Sequence, residues 1–310
     1  MRFRRIAKLD VSVIGLGCNN FGRRLDDADT ARVVHAALDE GINFFDTADM
    51  YGEGASEEYL GKAIKGQRDK IVLATKFGAF DVPENLTGGH PDWIAQAVDN
   101  SLRRLDTDWI DLYQHHFPDP KVPLVETLGA LNALVTAGKV RYVGCSNVDA
   151  DLLGEATETA ADRGFAPFVS VQNRFSVLHR EPRDEVLPAC REFDCAFLPF
   201  FPLESGLLTG KVGADGPPAG TRLALMSEEQ KARFLDDKRV DRVHILTSYA
   251  ANHGRTILEL AFAYLLAHAP VVSVIAGATS IDQVAANAAA FDWQLAPDEI
   301  GEIDEIVDGM

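Results

Sequence analysis

The sequence predicts a closed (β/α)8 TIM barrel, an α/β fold, on three observations. Short β-branched or aromatic runs alternate with amphipathic helical segments eight times in about 290 residues, the length such a barrel needs. The strand runs are almost continuously apolar, as parallel strands covered on both faces require. The first strand leads into GLGCNNFG, whose glycines do not match the G-x-G-x-x-G phosphate loop of an open doubly wound sheet, and no helix opens directly after it. Residues 1–310 therefore read as a single barrel domain, with a long loop and an extra helix after the seventh strand.

The strands are expected at VSVIGLG (11–17), INFFDTA (42–48), KIVLATKF (70–77), WIDLYQHH (109–116), VRYVGCS (140–146), PFVSVQN (167–173), AFLPFFP (196–202) and VVSVIAGA (271–278). MRFRRIAKLD, ahead of the first, suits a short hairpin closing the barrel bottom. Helical patterns lie between the strands. DADTARVVHAALDEG (27–41) ends at a glycine, SEEYLGKAIKG (56–66) runs from a Ser cap to a Gly stop, and PDWIAQAVDNSLRRL (91–105) opens on Pro. Further helices are expected at 123–139, 149–164, 181–193, 256–268 and 280–291. Pro188 lies inside the 181–193 segment, so that helix must begin late or kink. The Gly/Pro-rich stretch 210–222 and a helix and a half over 227–254 fall outside the repeat, and the acidic tail APDEIGEIDEIVDGM reads as a last helix. A long loop following a barrel strand sits on the active face.

Acidic residues outnumber basic ones 47 to 30, a net charge of −17, which argues against nucleic acid or an anionic membrane as partner. There is no stretch approaching the ~20 apolar residues of a membrane span and no signal-peptide pattern. Four cysteines (Cys18, Cys145, Cys190, Cys195) form neither a disulfide framework nor a metal spacing, which fits a reduced cytoplasmic setting.

In a barrel of this kind the C-terminal ends of the strands converge on one site. The second strand delivers Asp46, with Tyr51 in the loop beyond; the third delivers Lys76, and the fourth His115 and His116. The fifth gives Ser146 and Asn147, the sixth Gln172 and Asn173, and the seventh Phe200 and Phe201. A tyrosine of pKa ~10 is a poor acid at neutral pH, but a neighbouring cation stabilises its phenolate. Lys76 supplies such a cation, and Asp46 can hold it. Together with an imidazole, this set can protonate a developing alkoxide, which is the proton half of carbonyl reduction. The hydride half needs a cofactor.

GINFFDTADMYGEG resembles the G-x-x-x-x-D-T-A-x-x-Y-G signature of the aldo-keto reductases. LATKFG, DLYQHHFPD, VGCSN, VSVQNRFS, FPLESGLLTGK and IAGATSIDQVAAN resemble further segments of that family, in the family's order along nearly the whole chain. The resemblance implies Tyr51 as general acid, Lys76 and Asp46 as its tuning pair, and His116 as the residue that positions the carbonyl. It implies that Ser146, Asn147 and Gln172 hold a nicotinamide carboxamide and that Phe200 stacks on the ring. Leu203, Gly206, Leu207 and Lys211 would follow the pyrophosphate, and Gly277, Thr279, Gln283 and Asn287 would surround the adenosine. NADPH is the implied cofactor, with NADH possible.

This chain also departs from the family's pattern. Thr279 and Ser280 stand where a cation often meets the 2′-phosphate, and hydroxyls supply no charge. Phe201 replaces a typical Ser, and Glu204 a typical Gly, putting a negative charge near a pyrophosphate. Asn20, Phe21, Phe80 and Phe117, with Asn19, are expected on the substrate wall, compatible with an aldehyde, a sugar lactol or an aromatic ketone. His115 reads as a packing histidine. Cys18 and Cys145 read as small strand-end residues that could make the site thiol-sensitive. A sugar or alcohol dehydrogenase on the same site, a cofactor-binding regulatory subunit and a metal hydrolase using His115, His116, Asp46 and Asp49 stay open. The last is disfavoured because adjacent strand residues point to opposite faces. The sequence leaves the oligomeric state open.

Overall fold

The computed structural model describes residues 1–212 and 216–309. Residues 213–215, in the centre of the expected long loop, lie outside them. The chain opens with an antiparallel hairpin, β1 (Phe3–Ile6) and β2 (Leu9–Ser12). Eight parallel strands follow: β3 (Ile14–Gly17), β4 (Phe44–Asp46), β5 (Val72–Phe77), β6 (Ile110–His115), β7 (Val140–Ser146), β8 (Phe168–Arg174), β9 (Ala196–Phe200) and β10 (Val274–Gly277). Their order is β10-β3-β4-β5-β6-β7-β8-β9. The ring is closed where Phe197 of β9 bridges in parallel to Val271, with Val272 N donating to Phe197 O at 3.1 Å. The barrel forecast therefore holds, and the run 11–17 splits between β2 and β3.

Between the strands lie α1 (Asp27–Asp39), α2 (Ala55–Ala63), α3 (Pro91–Leu105), α4 (Leu124–Thr136), α5 (Ala150–Arg163), α6 (Glu181–Asp184) and α7 (Val186–Glu192). After β9 come α8 (Glu228–Phe234), α9 (Asp237–Asn252) and α10 (Ile257–Ala267), then α11 (Ile281–Ala289) and the C-terminal α12 (Pro297–Asp308). The segment 181–193 breaks at Glu185, so Pro188 falls in the first turn of α7, where a missing N–H costs nothing. One expected cap is different. Gly54 at φ 90° precedes α2, and Ser56 is buried, its hydroxyl bonded to Thr47 Oγ1 (2.8 Å) and to Cys18 O (2.9 Å). That serine ties the loop after β4 to the end of β3.

The hairpin plugs the barrel bottom. Ile6, Leu9 and Val11 pack with Phe44, Val72, Ala74, Leu112, Ala196, Leu198, Val272 and Ile275 in an apolar cluster separate from the main core. Asn43 pins it, receiving Ser12 N on its side-chain oxygen (2.7 Å) and donating to Asp10 O (2.8 Å). Side chains two apart on a strand share a face. The residues above Phe44, Ala74, Leu112 and Leu198 on that inner face are Asp46, Lys76, Gln114 and Phe200. An apolar floor under a polar layer is thus written into the strands' period of two.

Candidate active site

At the top of that layer, Lys76 is fully buried and its Nζ donates to Asp46 Oδ2 at 2.6 Å and to the Thr47 carbonyl at 2.9 Å. The third contact of Nζ is the Tyr51 hydroxyl at 3.5 Å, and the ammonium also lies 5.1 Å from the Tyr51 ring centroid. Asp46 Oδ1 accepts from the side-chain amides of Gln172 (2.9 Å) and Gln114 (3.2 Å). Both carboxylate oxygens are therefore committed, and a buried ion pair is stable only when its remaining lone pairs are met in this way. Tyr51 follows β4 in a tight turn whose next residue, Gly52, has φ 58°; a Cβ there would sit 2.8 Å from the Phe21 carbonyl, so the turn can lie against the first loop only as glycine.

The four residues expected to carry the chemistry are thus brought together. His116 meets the Tyr51 ring edge-on at 6.1 Å between centroids and stacks on Phe117 at 4.5 Å. Burial, then the charge of Lys76, pushes its pKa down to about 3, so its imidazole is neutral. Its Nδ1 has no hydrogen-bond partner. His115 stacks on Phe77 at 5.1 Å, and burial lowers its pKa to about 4, in keeping with a packing role. The tuning of Tyr51 has an unforeseen sign. Burial raises the phenol pKa more than Lys76 lowers it, so Tyr51 sits above the usual tyrosine value. Lys76 loses from burial but gains more from Asp46 and Tyr51, and its pKa is raised. Cys18 and Cys145 are buried, and burial pushes both thiols well up. Their burial argues against the expected thiol sensitivity, because a buried thiol held protonated is a poor nucleophile.

Around this centre, Ser146 Oγ donates to the Gln172 carbonyl (2.7 Å), and Asn147 Nδ2 donates to His116 O (2.9 Å) and Ser146 Oγ (3.1 Å). Asn147 holds φ 59°. The side-chain N–H groups of Gln172 go to Asp46 and Gln114, so the carbonyl oxygen is the part it can offer a ligand. Phe200 is half-buried and meets Phe201 edge-on at 5.4 Å. Four residues in the next stretch, Phe201, Glu204, Ser205 and Gly206, have φ of 52°, 46°, 59° and 106°. Strain of this kind concentrates at ligand clamps. Leu203 is half-buried and Lys211 exposed, whereas Leu207 is 1% exposed and packs in the core. At the other side Thr279 is engaged by Gln283 through its amide (2.8 Å) and hydroxyl (3.2 Å), Asn287 is buried and Gly277 is exposed.

Two expectations need correction. Phe21 is fully buried in the main core and backs the site instead of lining it. The Glu204 carboxylate does not face a ligand: it is fully buried and bonded to Arg174 (2.5 Å), Arg239 (2.6 Å) and Ser176 (2.7 Å). Of the other wall residues, Asn20 is buried with its amide 3.4 Å from Ala278 O, Phe80 is half-buried, and Phe117 is 46% exposed. Gln114 was missed. Its signal was available, since it shares the inward face of β6 with Leu112 and pairs in register with Lys76. Among the described residues no three His, Cys, Asp or Glu side chains are grouped to hold a metal ion.

Asp49 lies behind the site, 2% exposed, with neither carboxylate oxygen in a well-formed hydrogen bond. Burial and the nearby Glu57 raise its pKa to about 7, against smaller opposing effects of the Met50 and Gly78 amides and Arg104. The folded state therefore holds this proton more tightly than the unfolded chain. Its contribution to stability is complete below the unfolded value of 3.8 and is lost as pH rises towards about 7. Asp49→Asn is expected to raise the melting temperature at pH 8, by at most about 4 kcal/mol of stability. The gain should shrink at pH 5 and vanish near pH 4; melting curves of both proteins across that range check it, and a pH-independent difference would reject the titration of Asp49 as its source.

A parallel barrel with a Lys–Asp–Tyr cluster and a neutral imidazole at the C-terminal ends of its strands has the make-up of an oxidoreductase acting on CH–OH or C=O groups. The aldo/keto reductase family profile matches residues 13–308, and the chain belongs to that family. It is 33% identical over 305 residues to a probable aldo-keto reductase 1 of Glycine max, covering 96% of this chain and 86% of that protein. It is 34% identical over 310 residues to the aldo-keto reductase YhdN of Bacillus subtilis (strain 168), covering 97% and 91%. The holo form of aldo-keto reductase AKR11C1 from Bacillus halodurans superposes with a TM-score of 0.82 at 32% identity, over 100% of this chain and 97% of that one.

Proposed function

We propose that the protein reduces an aldehyde or ketone to an alcohol, with a reduced nicotinamide dinucleotide, NADPH by preference, as hydride donor and Tyr51 as general acid. The observation that carries this reading is the Lys76 ammonium, 2.6 Å from Asp46 and 3.5 Å from the Tyr51 hydroxyl. The dinucleotide, when bound, supplies the hydride. Tyr51 gives its proton to the developing alkoxide. Lys76 stabilises the phenolate left behind, and Asp46, held by two glutamines, keeps Lys76 charged and in place. His116, neutral, offers a ring N–H to the carbonyl oxygen and fixes its position.

Ser146, Asn147 and the Gln172 carbonyl oxygen would hold the carboxamide, with Phe200 against the ring. The backbone from Leu203 through Leu207, and Lys211, would follow the pyrophosphate; Gly277, Thr279, Gln283 and Asn287 would surround the adenosine. The strained backbone at 201–206 supports such a clamp, and Asn20, Phe80 and Phe117 remain on the wall for a small-molecule carbonyl or sugar substrate. The four free, buried cysteines suit a cytoplasmic setting.

One observation favours a second reading, an NAD-dependent sugar or alcohol dehydrogenase. No Lys or Arg lies between Gly277 and Asn287, and Asp282 stands in the first turn of α11. Fluorescence titration with NADPH and NADH distinguishes them. Tighter NADPH is expected; equal or tighter NADH would transfer the assignment to the dehydrogenase, and binding of neither would remove both.

A further inference from the structure

We propose that Gln114 is a positioning residue of the proton-transfer centre: it takes up part of the Asp46 charge, so that Asp46 does not draw the Lys76 ammonium away from Tyr51. The proposal rests on the reading of Tyr51 as proton donor and deepens it.

Gln114 and Gln172 share one oxygen, Asp46 Oδ1, with their Nε2 atoms at 3.2 Å and 2.9 Å. An ionised carboxylate only accepts hydrogen bonds, so both amides must turn N–H groups towards it. That leaves Gln114 Oε1 facing Gln172 Nε2 at 3.4 Å. The two amides are therefore not equivalent. Gln172 still has its carbonyl oxygen to offer a ligand, whereas Gln114 is fully buried and both its polar atoms are engaged inside the cluster. The barrel is shaped to admit this side chain. Gln114 stands in register between Lys76 on β5 and Gly144 on β7, and a Cβ on Gly144 would lie 3.3 Å from Gln114 Cγ.

The consequence falls on Lys76. Its ammonium has three acceptors: Asp46 Oδ2 at 2.6 Å, the Thr47 carbonyl at 2.9 Å and the Tyr51 hydroxyl at 3.5 Å. The contact to Tyr51 is the longest, so it is the first to be lost when Asp46 pulls harder. Asp46 is 2% exposed, and carboxylate charge that the amides do not meet is met by the ammonium instead. A neutral amide suits this task. It supplies a donor to Asp46 without adding a cation that would compete with Lys76. Without Gln114, Asp46 Oδ1 would hold one donor where it now holds two. Asp46 would then bind Nζ more tightly, and the phenolate left after proton transfer would lose stabilisation.

The test uses Gln114→Met, which keeps the length of the side chain and removes its polar atoms, and Gln114→Glu. Tyrosine is replaced throughout by difluorotyrosine, whose phenol ionises near neutrality. Fluorine NMR then follows the residue-51 phenol across pH, its signal assigned by loss in Tyr51→Phe. In Gln114→Met this phenol is expected to be a weaker acid than in wild type by roughly 3–30-fold. An equal or stronger acid overturns the proposal. With ordinary tyrosine, the single-turnover rate of benzaldehyde reduction should fall by a similar factor while NADPH affinity stays within about twofold. In Gln114→Glu the protonated carboxyl can donate to Asp46 as the amide does, and its ionised form adds a negative charge there. The rate should approach wild type at low pH and fall as that carboxyl ionises, a limb absent from wild type and from Gln114→Met. A Gln114→Glu rate that is low and flat across pH makes the residue a structural one and overturns the proposal. If Gln114→Met does not fold, the limb in Gln114→Glu decides. If wild type reduces no aldehyde, the reductase reading fails, and the fluorine titration still decides the role of Gln114.

Discussion

Tyr51→Phe is expected to lower turnover by roughly 10²–10⁴-fold while dinucleotide affinity stays within about twofold. The substitution removes one hydroxyl and little else. The ring keeps its edge-on contact with His116 at 6.1 Å and its place 5.1 Å from the Lys76 ammonium. Lys76 keeps its two shorter contacts, to Asp46 and the Thr47 carbonyl. No other group nearby can replace the lost acid. His116, with a pKa pushed down to about 3, carries no second proton near neutrality. The raised pKa of Tyr51 also sets a direction, because at neutral pH it is a protonated acid and not the phenolate that alcohol oxidation would need. Reduction should therefore outrun oxidation at pH 7, and kcat/KM for reduction should show no histidine limb near 6.5. Stopped-flow and steady-state rates of both proteins with one aldehyde check this. A phenylalanine variant turning over like wild type would remove Tyr51 from the mechanism.

What was legible in the sequence follows from periodicity. Phe44 and Asp46, Ala74 and Lys76, and Leu112, Gln114 and His116 lie two apart on their strands, so their convergence on one inner face could be read without coordinates. The hairpin, the Pro188 break and the helix over 91–105 were legible for the same local reasons. The misreadings came where tertiary contact decides. Ser56 looks like a cap but is recruited by Thr47 and the Cys18 carbonyl. Phe21 follows a strand as a pocket residue would, yet nothing local says that it turns into the core. The sign of the Tyr51 shift depends on burial outweighing a cation, and the bond from Arg24 to the Gly220 carbonyl joins segments almost two hundred residues apart.

Glu204→Ala is expected to destabilise the protein by about 3 kcal/mol, near the lower end for breaking a buried ion pair, because its partners Arg174 and Arg239 keep 31% and 18% side-chain exposure. For a chain of this size that is a fall of roughly 4–6 °C in melting temperature. The carboxylate joins three places in the fold: the end of β8 through Arg174, the turn after it through Ser176, and α9 through Arg239. Its loss leaves two guanidiniums facing one void and frees the strained turn after β9, so NADPH should also bind more weakly. Glu204→Gly separates charge from backbone. At φ 46° a glycine is relaxed where glutamate is strained, so a position kept for its conformation would gain stability by that change. A position kept for its charge loses stability nearly as much as with alanine, because the arginines are stranded either way. Glutamate is retained here despite the strain, and among the described residues it is the carboxylate that meets both arginines. The charge should therefore dominate, with Glu204→Gly melting well below wild type and slightly above Glu204→Ala; a glycine variant at or above wild type would show that the cluster contributes nothing to stability.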